Sequence, residues 1–359
     1  MRDAIAQPRL TGEGAFTQRC QDVLQQILGV PKVLLTTSCT HALEMAAMLL
    51  RVEEGDEVIA PTFTFPSTLN AFVLRGARPV FADVRRDTLN LDETRFESLI
   101  TSRTRAIVVV HYAGVACDMN RIMEIAARHG VPVVEDNAHG LFGRYHGRPL
   151  GTFGVMSTLS FHETKNLTCG EGGALAITDP GLVERAEIVR DKGTNRTRFS
   201  RGEVRRYTWV DIGSSYFPSE ILAAFLCAQL DARERIQARR QALWQRYAAE
   251  LQQWAAANGV ALPTIPAGCE HPAHLFYLLL PSSERRDAFL DHLSDHGVEA
   301  AFHYVPLHLS EMGQSFGAAS GDCPVAEHVS ERLARLPLWT GATDAEQDQV
   351  IAAIHSFRC

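Results

Sequence analysis

The chain has 359 residues, 46% hydrophobic and 21% charged, a globular composition long enough for a large domain plus a smaller one. Its 35 basic and 42 acidic residues leave a formal charge of -7, which argues against broad nucleic-acid binding. The one basic cluster, 196–206, is interrupted by Glu203 and reads as a solvated loop, with a local pocket for a diphosphate as the other reading. Eight scattered cysteines form no C-x-x-C pair and no metal-ligand spacing, so reduced thiols in a cytoplasmic protein and no metal are expected. No apolar run approaches membrane-spanning length, and the first 14 residues lack an apolar signal core.

In chain order, residues 15–28 predict an entry helix, KVLLTT (32–37) a strand and 39–50 a helix. EVIAP (57–61) and PVFADV (79–84) predict strands around a helix over 67–75. AIVVVHY (106–112) has the continuous β-branched character of a strand buried on both faces. A helix over 119–129 and the strand VPVVED (131–136) follow, then strands STLSFH (157–162) and GALAIT (173–178). This alternation predicts an α/β sheet with helices on both faces. After a long helix near 232–256, the Pro- and Gly-rich stretch 257–274 marks a change of composition. LFYLLLP (275–281), a helix over 284–296 and VEAAFHYVP (298–306) predict a small α+β unit, giving expected domains of 1–250 and 251–359.

Five places carry potential chemistry. Asp136 ends an apolar strand, where open α/β sheets place their ligands. Alone it reads as a helix cap or ion-pair partner, but the position also suits a counter-ion for a protonated pyridine nitrogen. Lys165 follows 29 residues later, between Ser160 and the glycines Gly170, Gly172 and Gly173. Most lysines after a strand are solvated; one in a crowded, partly desolvated site has a lowered pKa and forms imines. TTSCTHALEMAAMLL (36–50) sets a helix N-terminus after a strand, which is an ordinary cap or a phosphate site. In PTFTFPST (61–68), Phe63 and Phe65 read first as core, with stacking on a planar ring as the other reading. In AFHYVPLH (301–308), two histidines flanking a proline turn serve either the turn or a substrate.

Taken in order, TTSCTHALEMA, GDEVIAPTFTFPST, VHYAGVACDM, VVEDNAHG, SFHETKN with GEGG, KGTNR, DIGSSYFPSEILAAFLCAQL and FHYVPLH resemble the DegT/DnrJ/StrS family of pyridoxal 5′-phosphate (PLP)-dependent sugar aminotransferases over nearly the whole chain. The resemblance implies fold-type I, the aspartate-aminotransferase architecture, with a large α/β/α sandwich domain and a small C-terminal α+β domain. The segments SFHETKN, KGTNR and DIGSSY look most like the branch forming dTDP-4-amino-4,6-dideoxygalactose from dTDP-4-keto-6-deoxyglucose and glutamate.

Residue by residue, the resemblance makes Lys165 the Schiff-base lysine and Asp136 the partner of the pyridine nitrogen, with His139 near the ring hydroxyl. Thr40 and His41 bind phosphate through backbone N–H groups, helped by the Ser160 hydroxyl, and Phe65 stacks on the ring. Ser215 stands where many relatives place an asparagine on the neighbouring subunit's phosphate, implying a homodimer with shared active sites. His303, Tyr304 and His308 fall in the segment that lines the sugar site, and further substrate contacts are implied near residues 9–14. Asn137 departs from the usual alanine, and the N-terminal arm is shorter than in relatives by about fifteen residues.

The rivals are weighed on the same residues. Sugar 3-dehydratases of this fold carry histidine in place of Lys165. Aminotransferases acting on 3-keto sugars or keto-inositols share the motifs and differ in pocket shape. A non-catalytic regulator on this fold does not need both Lys165 and Asp136. A nicotinamide dehydrogenase needs G-x-G-x-x-G after the first strand, and TTSCTHAL is not that.

Overall fold

The computed structural model describes residues 5–6 and 10–358, so Arg9 and Cys359 lie outside the described residues. In chain order the large part comprises α1 (Ala15–Leu28), β1 (Lys32–Thr36), α2 (Cys39–Leu49), β2 (Glu57–Pro61), α3 (Ser67–Val73), β3 (Arg78–Ala82), β4 (Thr104–Val110), α4 (Met119–His129) and β5 (Val133–Asp136). The short β6 (Arg144–Tyr145) and β7 (Arg148–Pro149) precede β8 (Met156–Ser160) and β9 (Gly173–Ile177). Helices α5 (Val183–Arg190), α6 (Arg196–Ser200), α7 (Glu220–Asp231) and the long α8 (Arg233–Ala257) follow.

A seven-stranded sheet in the order β1-β9-β8-β5-β4-β2-β3 forms the centre. Its strands are parallel except β9, which runs antiparallel to β1 and β8. The pleat explains why β4 needs an unbroken apolar run. Val108 packs with Leu43, Ala46 and Phe72 on one face. Its neighbours Ile107 and Val109 pack with Met119, Ile122 and Ile125 on the other. Both faces are thus covered by helices, as the β-α alternation predicts.

A second core gathers around the C-terminal half of α8. The elements after α8 are β10 (Cys269–Glu270), which pairs back to β6, then β11 (Phe276–Leu279), α9 (Ser283–Asp295), α10 (Glu311–Ser315), α11 (Pro324–Ser330), β12 (Leu333–Leu336) and α12 (Asp344–Ser356). Trp254, Phe276, Phe289, Leu293, Ile354 and Phe357 are buried together there. Phe289 sits with ring centroids 6.0 Å from Trp254 and 5.2 Å from Phe357. We expect Phe289→Ala to cost about 3–5 kcal/mol, read as a lower denaturant midpoint at unchanged slope.

One sequence expectation differs here. Residues 298–306 form no strand; only a bridge between Ala301 and Arg335 marks them. The partner of β11 is instead β12, four residues too short to announce a period. The long helix expected near 232–256 is α8, which runs through residue 250. Among the described residues, no helix is long and apolar enough to cross a membrane.

Candidate active site

Because the strands run parallel, the carboxyl ends of β1, β2, β4, β5 and β8 gather at one edge of the sheet. A cleft of ≈ 1020 Å³ opens there, walled on its far side by β12 and the segment after it. Thr40, Phe65, Asp136, His139, Ser160, Lys165, His303 and Tyr304 all line it. Eight of the eleven residues singled out in the sequence therefore meet at one place.

Asp136 is the last residue of β5 and is buried. One carboxylate oxygen accepts from Thr68 Oγ1 at 2.7 Å and the other from the backbone N–H of Ala138 at 3.2 Å. Burial pushes its pKa above the ordinary carboxylate value, although both hydrogen bonds, Lys165 and His111 pull the other way. A carboxylate buried in this way gains from a neighbouring cation.

Lys165 lies half-buried in the loop after β8, its backbone N–H bonded to the carbonyl of His162 at 2.9 Å. Burial pushes its amine below the usual lysine value, and the charge of Arg335 adds to this; Cys39 and Asp136 oppose it. Among the described residues its Nζ makes no hydrogen bond or ion pair, which suits a nucleophile. The next residue anchors the loop. Asn166 donates from Nδ2 to the carbonyl of Pro272 at 2.7 Å, and its Oδ1 meets His274 Nδ1 at 2.9 Å.

His139 stacks on His274 with centroids 4.2 Å apart and planes at 26°. Its Nε2 faces the Tyr304 hydroxyl at 3.4 Å, while its buried Nδ1 has no hydrogen-bond partner. Burial, reinforced by Lys165, His274 and His303, pushes its pKa well below the ordinary histidine value, so the ring is neutral. His303 accepts from or donates to Tyr112 at 2.6 Å and stacks on Tyr304 at 3.6 Å. Burial, Arg335 and Lys165 push it down to about 2.

The helix N-terminus at the cleft is that of α2. Ser38 caps it, accepting from the backbone N–H of His41 at 3.1 Å. Thr40 reaches Ser67 through a hydroxyl pair at 2.8 Å. Gly173 makes this turn possible: a Cβ there would lie 2.3 Å from Ser38 C and 2.4 Å from Cys39 N.

Three expected residues are placed elsewhere. The His41 ring turns to Thr37, and its N–H is already used by the cap, so it does not line the cleft. Ser215, expected at a neighbouring subunit's cleft and not at its own, is exposed and bridges to Asp191. His308 is buried, with Nδ1 at 2.7 Å from Thr62 Oγ1 and Nε2 at 2.8 Å from Glu327 Oε1; both nitrogens are committed to joining β2 to α11. Conversely, the cleft includes Cys39, Asn166, His274, Arg335 and Trp339, none of them singled out from the sequence. Phe63 is core, as its first reading had it, but Phe65 is 57% exposed.

These residues fit PLP: a buried carboxylate short of a cation, an uncommitted amine, a helix N-terminus beside them and an imidazole with an orphaned buried nitrogen. The comparisons agree. The profile of the DegT/DnrJ/EryC1/StrS aminotransferase family matches residues 1–355. The spore coat polysaccharide biosynthesis protein SpsC of Bacillus subtilis is 31% identical over 353 residues, 96% of this chain and 90% of that protein. The aminotransferase TlmJ of Streptoalloteichus hindustanus superposes with a TM-score of 0.90 at 32% identity, covering 99% of this chain and 93% of that one. Spr1654 of Streptococcus pneumoniae, in its PLP form, gives a TM-score of 0.91 at 26% identity, with 99% and 94% covered. The chain belongs to the DegT/DnrJ/EryC1/StrS aminotransferase family and is a fold-type I aminotransferase that uses pyridoxal 5′-phosphate.

Proposed function

We propose that this enzyme moves an amino group from glutamate to a nucleotide-linked keto sugar, with dTDP-4-keto-6-deoxyglucose as the first candidate. The observation that carries the reading is the meeting of Lys165 and Asp136 in one cleft, the amine shifted down and the carboxylate buried. The cleft, ≈ 1020 Å³, is at the upper end of small-molecule sites and has room for a sugar with its nucleotide.

When bound, PLP draws electrons from the carbon that loses its proton. Lys165 Nζ, its basicity lowered by burial, would move that proton between the donor's α-carbon and the cofactor. In the second half it runs the transfer in reverse. Asp136 would face the ring nitrogen with a negative charge and so keep it protonated. His139, neutral, would lie near the ring without adding charge, and Phe65 would offer its exposed face for stacking. Thr40 and Ser160 would contribute hydrogen bonds to the phosphate, and His303 and Tyr304 would face the sugar.

We further propose a homodimer that shares its active sites. Ser215 is exposed on a stretch that also exposes Trp209 at 77%. Such an aromatic surface gains from burial against a second copy.

Two half-reactions on one site predict parallel initial-rate lines when glutamate is varied at several sugar concentrations; intersecting lines contradict the scheme. Mass and NMR analysis of the product from dTDP-4-keto-6-deoxyglucose plus glutamate is expected to show a 4-amino sugar. Amination of a 3-keto sugar or keto-inositol alone would move the assignment to another acceptor.

A further inference from the structure

Folding brings together two cysteines that the sequence separates. Cys20 stands on α1 and Cys227 on α7, 207 residues further on, and their sulfurs lie 3.0 Å apart. Among the described residues no other two cysteine sulfurs make such a contact. The helices are fastened on both sides of the pair. The Glu220 carboxylate accepts from the backbone N–H groups of Gly14, Phe16 and Thr17 at 3.0, 2.9 and 3.2 Å. Arg19 reaches both carboxylate oxygens of Asp231, at 2.7 and 2.8 Å. Each thiol also faces a carbonyl of the opposite helix, Cys20 that of Ala223 at 3.3 Å and Cys227 that of Phe16 at 3.4 Å. Both carbonyls belong to residues one helical turn before the partner cysteine. With the two protons donated there, no hydrogen stands between the sulfurs.

The surroundings are apolar. Leu24, Leu226 and Leu230 share this core with the two cysteines, which are 0% and 4% exposed. Such burial admits only a small oxidant. One thiol ionises before the other. The hydrogen bond from Cys20 and the charge of Arg19 pull the Cys227 thiol below its ordinary value, while the same bond and burial push Cys20 up. The remaining sulfurs nearby are placed differently. Cys169, in the same core, faces the carbonyl of Glu171 at 3.3 Å, and Cys39 lies in the cleft; neither has a second thiol in contact.

We propose that Cys20 and Cys227 are a modification site, at which a peroxide joins α1 to α7 through a disulfide. The Cys227 thiolate attacks one oxygen of hydrogen peroxide, the O–O bond breaks, and the departing oxygen leaves as water with the thiol's proton. The Cys20 sulfur then attacks the sulfenic acid so formed; the S–O bond breaks and a second water leaves with the Cys20 proton. Two thiols together lose two electrons, and one peroxide becomes two waters. The sulfurs close by roughly 1 Å to reach bonding distance. The bridge closes a ring of chain holding β1 through β9, Asp136 and Lys165 included, and so removes freedom from the unfolded chain. It is a staple on the large part of the fold, separate from amino-group transfer.

The test treats the PLP-loaded enzyme with hydrogen peroxide, alkylates it in denaturant without reductant, and maps the digested peptides by mass. A cross-linked pair holding Cys20 and Cys227 is expected, lighter by two hydrogens than the separate peptides and split by dithiothreitol. The thermal midpoint of the oxidised enzyme is expected to rise by about 5 °C or more and to return on reduction. Cys227→Ala is expected to abolish both the cross-link and the rise, whereas Cys169→Ala keeps both. If Cys227→Ala does not fold, Cys20→Ala takes its place, and the wild-type map decides without either. Recovery of both peptides in alkylated form after excess peroxide overturns the proposal. So does a bridge from either cysteine to Cys169, or sulfinic acid at Cys227 with no bridge. A Cys20–Cys227 bridge that leaves the midpoint unchanged or lowers it overturns the staple as well.

Discussion

Lys165→Ala is expected to lower turnover by about 10⁴-fold or more while the protein still takes up PLP without a covalent bond. The size follows from two tasks resting on one atom. In the proposed scheme Nζ is both the attachment point for the cofactor and the base that moves the proton. Among the described residues no second lysine lines the cleft. The three imidazoles nearby are poor substitutes, since His139, His274 and His303 are all pushed below the ordinary histidine value by burial. Their neutral rings stay neutral at working pH, but their weak basicity drives proton abstraction poorly. Addition of a small primary amine is expected to restore part of the activity. Near wild-type transamination by Lys165→Ala, without added amine, would rule out the assignment.

The second large effect is expected from Asp136→Asn. The replacement keeps the shape but offers one oxygen and one NH2 where the carboxylate offers two oxygens; with the oxygen toward the Ala138 N–H, the NH2 meets the Thr68 hydroxyl, which then accepts where it donated. The change that matters to the cofactor is the lost charge. In the proposed scheme the ring nitrogen would then lose its proton, and the cofactor its pull on electrons. Turnover should fall by about 100-fold or more, with cofactor affinity falling in the same variant. The protein itself is expected to be no less stable, because burial already disfavours the charged form of Asp136. A variant that kept full activity, or one that lost stability but not cofactor affinity, would speak for a purely structural carboxylate. The pair of variants also separates the two roles: Lys165→Ala spares cofactor uptake, and Asp136→Asn does not.

The sheet was legible because each of its strands is a compact apolar run closed by a turn, and β4 is the plainest case. Asp136 was legible for the same reason, as the polar residue ending such a run, and Lys165 stood out by the glycines behind it. The second core was less so. β12 offers only Leu333, Ala334, Arg335 and Leu336, too few for alternation to show, while 298–306 looks extended but finds a single bridge. Arg335 and His274 were missed on that account: their importance depends on which strand pairs with β11 and on how 271–275 crosses the lysine loop. Pattern alone also left the histidines after Ala301 undivided. Only the three-dimensional neighbours show His303 in the cleft and His308 committed between Thr62 and Glu327.

Asn166 illustrates how the site is held. It is the residue beside Lys165, and through Pro272 and His274 it ties the lysine loop to the segment that Arg240 fastens to α8. The His139–His274 stack then rests on the same segment. Lysine, imidazole and the wall formed by β12 therefore share one scaffold, and a reacting amine held this way meets its substrate with little left to order.

Borohydride reduction of the PLP-loaded enzyme, followed by proteolysis and mass mapping of the pyridoxyl-bearing peptide, puts all of this at stake in one experiment. The label is expected on the peptide containing SFHETKN, at Lys165. A label on Lys32 or Lys192, or an enzyme that binds PLP yet yields no labelled peptide, would contradict the account.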